Sequence, residues 1–123
     1  MQIDFENDRQ MIAKTRRVPR RQPWLALVAA VMRLAGDRAE LIRHGETPWA
    51  SITFSGSRHQ IALTFRGAEA VAAGEIFIAA LPEHEFDVPG QIVADATIVS
   101  ALHELVPQPC LIVEAELLLL EEG

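Results

Sequence analysis

"SITFSGSRHQIALTF", residues 51–65, decides how the chain folds. The stretch alternates apolar and polar residues on either side of Gly56-Ser57, a pair suited to a two-residue hairpin loop. Folding there puts Phe54 opposite His59, Ile52 opposite Ile61 and Ala50 opposite Leu63, all on one mostly apolar face. Ser55 with Arg58, Thr53 with Gln60, Ser51 with Ala62 and Trp49 with Thr64 make the other, mostly polar face. A register that separates the two kinds of side chain predicts an antiparallel hairpin.

Upstream, Ala39–His44 reads as a further strand, joined to the hairpin by the loop "GETP". In that register Ala39 and Leu41 join the core face and His44 lies near Trp49 on the outer face. Before it, Trp24 to Ala35 carries a helical stripe of Leu25, Val28, Ala29 and Met32, widened by Leu27, Val31 and Leu34. That breadth predicts burial on more than one side. Gly36-Asp37 ends the helix.

Downstream, Gly67 opens a second helix to about Leu81, with Ala70, Ala73, Gly74, Phe77 and Leu81 on one stripe. Its small residues allow close approach to a sheet. "VPGQ", residues 88–91, places Pro and Gly at the centre of a type II turn. Two strands follow. "QIVADATIVS" sets Ile92, Ala94, Ala96 and Ile98 against Val93, Asp95, Thr97 and Val99. "CLIVEAELLLL" sets Leu111, Val113, Ala115, Leu117 and Leu119 against Ile112, Glu114, Glu116, Leu118 and Leu120. The expected fold class is α+β, in the order α-β-β-β-α-β-β. It has a five-stranded, mainly antiparallel sheet with two helices on one face.

The 123 residues suit a single body, expected over 23–123, behind a basic arm at 1–22. The arm holds Arg9, Lys14, Arg16, Arg17, Arg20 and Arg21 against Asp4, Glu6 and Asp8, while the whole chain carries a net charge of −6. The arm is expected to be partly flexible. It could meet nucleic acid, an anionic membrane or an acidic protein, but the acidic body behind it repels phosphate. "TRRVPRRQP" before "WLALVAAVM" imitates a secretion signal. Arg33 interrupts the apolar run, which is too short to span a bilayer, so a core helix is expected. The single cysteine, Cys110, fits a reducing, cytoplasmic setting and a small buried hydrophobe rather than a nucleophile.

"LIRHGETPW", Leu41 to Trp49, resembles the signature of the histidine phosphatase superfamily, in which Arg-His-Gly follows the first strand and the histidine is phosphorylated. The resemblance implies His44 as nucleophile and Arg43 as phosphate ligand. It covers nine residues. A helix precedes them, the remaining chain is short, and His103 in "ALHEL" lacks the setting of the family's second histidine. No phosphatase activity is expected. The loop "EHEFD" offers Glu83, His84, Glu85 and Asp87, but consecutive loop residues make no familiar chelate, so no metal and no cofactor are expected.

The remaining signal is an apolar outer face. Ile42, Trp49, Val93, Val99, Ile112, Leu118 and Leu120 all fall opposite the inferred core, where a half-solvated sheet should be polar. A second copy is the commonest cover, so a non-enzymatic interaction module acting as a homodimer is the leading reading, with another protein as a further partner. The element order resembles that of type III secretion chaperones, which are small, acidic dimers, although their closing helix is missing here. The rival is a ligand-binding or enzymatic pocket formed by His44, Glu46, Trp49, Arg58 and Asp95.

Overall fold

The computed structural model describes residues 23–122. The expected basic arm, residues 1–22, lies outside them. Helix α1 spans Pro23–Leu34, strand β1 Ala39–Ala50, β2 Ser55–Arg66, helix α2 Ala68–Ala80, β3 Gln91–Glu104 and β4 Cys110–Glu121, with a 3-10 turn at Leu81–Glu83. All neighbouring strands are antiparallel, in the order β1-β2-β4-β3.

Among the described residues the sheet therefore has four strands, not five. Residues expected to form the loop "GETP" continue β1, with Gly45 opposite Gln60, Glu46 opposite His59, Thr47 opposite Arg58 and Pro48 opposite Ser57. β1 is an edge strand, where a proline's missing N–H is tolerated. The hairpin turn lies at Ser51–Phe54 instead of Gly56-Ser57: the Ser51 amide donates to the Phe54 carbonyl at 2.7 Å, and the Phe54 amide donates to Ser51 Oγ at 3.1 Å. Moving the turn upstream frees Gly56 and Ser57 to pair with Leu120 and Leu119 of β4. Gly56 is needed for close approach: a Cβ there lies 1.8 Å from the Leu119 carbonyl oxygen.

The core lies between the helices and one face of the sheet. Leu27, Val31 and Ala35 meet Ile61, Leu63 and Phe65 of β2, Phe77 of α2, and the odd-numbered residues Leu111 to Leu119 of β4. The Phe65 and Phe77 rings pack with centroids 5.9 Å apart. Gly74 brings α2 onto the sheet so closely that a Cβ lies 2.7 Å from Leu111 and 2.9 Å from Phe65. α1 fully buries Leu27, Ala30 and Val31 and packs Ala26, Val28, Met32 and Leu34 against the core in part, while Leu25 of the expected stripe faces solvent. The type II turn is present at "VPGQ": the Gln91 amide donates to the Val88 carbonyl at 3.0 Å, and Gly90 has φ +76°.

Register breaks fall in the two edge strands alone, between Leu41 and Arg43 in β1, and between Val93 and Asp95 and between Ile98 and Ser100 in β3. Each inserted residue flips the side chains that follow to the other face. The break in β1 turns His44 towards the helices, opposite Ile61, so its expected place on the outer face is corrected. In β3, Val93 sits opposite Leu119 and packs against the core, so it leaves the expected outer set, while Ile92 opposite Leu120 joins the open face.

Candidate functional site

The two sheet faces carry different chemistry. On the helix side, His44 and His59 meet at one end of the core. His44 Nε2 and His59 Nδ1 are 2.8 Å apart, within hydrogen-bonding distance. The far nitrogen of His59, Nε2, lies 2.7 Å from Ser57 Oγ. The Trp24 ring, in the first turn of α1, stacks on His44 at a centroid distance of 5.1 Å and an interplanar angle of 17°. His59 is completely buried, and His44 is partly so. Burial holds the His59 pKa below the ordinary histidine value; nearby Glu46 opposes that shift and His44 adds to it. The neutral ring is the form this pocket favours. Glu46, across β1 from His59, completes a group whose ligand atoms all lie within 4.8 Å of one another.

The open face has a polar centre. Arg43 pairs with Glu114, Arg58 with Glu116 at 3.6 Å, and Gln60 Nε2 donates to Glu116 at 3.3 Å. Arg43, Gly45, Gln60, Val99, Glu114 and Glu116 line a shallow cavity of about 340 Å³ that crosses all four strands. Apolar residues flank it. Val99 is 57% exposed and Ile42 is 49% exposed. Ile112, Leu118 and Leu120 are half-buried, as is Trp49, which alternation along β1 places on this side opposite Gly56. Beyond the strands, Leu105 and Val106 in the β3–β4 loop and Ile52 in the β1–β2 turn are also exposed.

The five residues proposed for a ligand pocket are divided between the faces. His44 and Glu46 lie on the helix side, and Trp49, Arg58 and Asp95 on the open side, with Asp95 opposite Leu118. None of the five lines the open-face cavity. The phosphatase-like pair separates in the same way: Arg43 reaches Glu114 on the open face while His44 engages His59 under the helices. One phosphate cannot touch both. Cys110 is half-buried, with its sulfur 3.4 Å from Thr64 Oγ1. Sequence reasoning missed the meeting of His44, Glu46 and His59. The spacing His-x-Glu along a strand puts both side chains on one face, but reading "GETP" as a loop discarded that signal.

No protein-family model matches the chain, and no curated protein matches it. Its fold is similar to that of a chain in a solved structure described as "Virion of native gene transfer agent (GTA) particle", with a TM-score of 0.52. The two are 15% identical, and the match covers 82% of this chain and 92% of that one. At that identity the likeness concerns the fold. Among the described residues no helix is long and apolar enough to cross a membrane.

Proposed function

We propose that this chain is a non-enzymatic structural subunit of a virion-like particle, working by association with copies of itself through the open sheet face. The homodimer is the smallest such assembly, and its setting is the cytoplasm, where Cys110 stays reduced. The observation that carries the reading is the open face itself, on which Ile42, Trp49, Val99, Ile112, Leu118 and Leu120 flank a polar centre. Apolar residues on a sheet face that no helix covers favour a partner. The arginine–glutamate ladder between the flanks supplies register, since charges of both signs can meet their opposites on a second copy. The likeness to a chain of a gene transfer agent virion supports the same direction, because a particle is built by repeated contact between subunits. The division of the five candidate pocket residues between two faces weighs against the ligand-binding alternative.

Val99→Asp tests the proposal. Val99 is more than half exposed, so the change leaves the fold intact and puts a charge into the contact. Size exclusion with light scattering should show an assembled wild type at tens of micromolar (a range typical of modest self-association) and a monomeric variant with an unchanged circular dichroism spectrum. A wild type that is monomeric throughout that range sinks the proposal.

A further inference from the structure

We propose that His44, Glu46 and His59 form a binding site for a single divalent transition-metal ion, zinc being the best fit. The three donors are two imidazole nitrogens and a carboxylate, the mixed set that suits zinc with one position left for water. They come from adjacent strands: His44 and Glu46 share one face of β1, two residues apart, and His59 lies directly across from Glu46 on β2. The rigid ladder therefore gathers them, and no loop has to close.

The nitrogens that would bind are the ones already facing each other, 2.8 Å apart. Tetrahedral zinc with bonds of about 2.0 Å holds two nitrogens about 3.3 Å apart. Opening the pair by about half an ångström, through a swing of the His44 ring, admits the ion. His44 faces solvent in part and can make that swing. The surroundings supply what a metal-bound histidine needs. Ser57 Oγ occupies the outer nitrogen of His59 at 2.7 Å and fixes which nitrogen is free. Trp24 lies flat on His44 and packs against its ring face. Glu46 is exposed and leaves the entry open. The other histidines, His84 and His103, lie outside the group.

The test uses the full chain, treated with chelator, dialysed, and titrated with Co²⁺ alone. One equivalent should bind and give the visible absorption of low-coordinate cobalt with nitrogen and oxygen ligands, and Zn²⁺ should abolish it. Glu46→Gln changes an exposed side chain, so the fold survives; it should weaken Zn²⁺ binding, followed by calorimetry, at least about tenfold. His44→Ala should remove the cobalt spectrum. His84→Ala and His103→Ala should leave both signals unchanged. Absence of the cobalt absorption in the wild type overturns the proposal. So does binding that Glu46→Gln and His44→Ala leave intact, or that His84→Ala or His103→Ala removes. Should His44→Ala fail to fold, the Glu46→Gln affinity decides alone. Self-association plays no part in these readouts.

Discussion

At the scale of single residues, His59 makes the fold sensitive to acid. It is fully buried, its pKa is lowered first by burial, and the groups facing it are His44, Glu46 and Ser57. A histidine whose folded pKa lies below its unfolded value of about 6.5 takes up its proton more readily when unfolded. Stability is therefore unaffected above that value and declines as pH falls from about 6.5 towards the folded pKa. The slope for one proton is at most about 1.4 kcal/mol per pH unit. Urea midpoints measured in chelator at a series of pH values should fall below pH ~6.5, and His59→Gln should flatten that contribution. A wild-type midpoint constant across the range means that His59 titrates normally. The burial of His59 was legible in the sequence, since alternation around Ile61 and Leu63 puts it on the apolar face. Its partner was not legible, because one extra residue in β1 turned His44 to the same side.

At the scale of elements, the β1–β2 hairpin shows why the strand count changed. Gly-Ser looks like a turn by local preference, yet the chain turns at Ser51–Phe54 and uses Gly56 inside a strand. Extending β2 upstream gives it partners on both sides, and this long-range pairing outweighs the local turn preference. The two explanations of Gly56 part company on substitution. A turn glycine with positive φ accepts asparagine better than alanine. A glycine needed for close approach refuses both, because any Cβ meets the Leu119 carbonyl. Gly56→Ala and Gly56→Asn should each lower stability by about 3 kcal/mol or more, the upper end of overpacking costs, measured by urea unfolding. An asparagine variant as stable as wild type returns the turn to Gly56. The helices, the even-odd split of β4 and the turn at Gly90 were legible, since each rests on periodicity or on a residue pair with one good geometry. The bulges were not: an inserted residue leaves no mark in composition and shows only once a neighbouring strand fixes the register.

At the scale of the whole molecule, one face of the sheet is covered by helices and the other is open. Trp49 tests the open side independently of Val99, because it stands on the other edge strand, beside the β1–β2 turn, whereas Val99 lies midway along β3. Trp49→Asp should release monomers in light scattering while thermal melts followed by circular dichroism keep a single transition. A variant that unfolds outright assigns the ring to the core instead. The bulges have one more consequence. The two outermost strands, β1 and β3, are the ones whose pleat is interrupted, whereas β2 and β4 pair together without a break. An interrupted rim cannot present an even row of amides and carbonyls to a neighbour, so copies held at high local concentration do not zip rim to rim into an endless ribbon. Self-association of the kind proposed would therefore run through side chains of the open face and not through the strand edges.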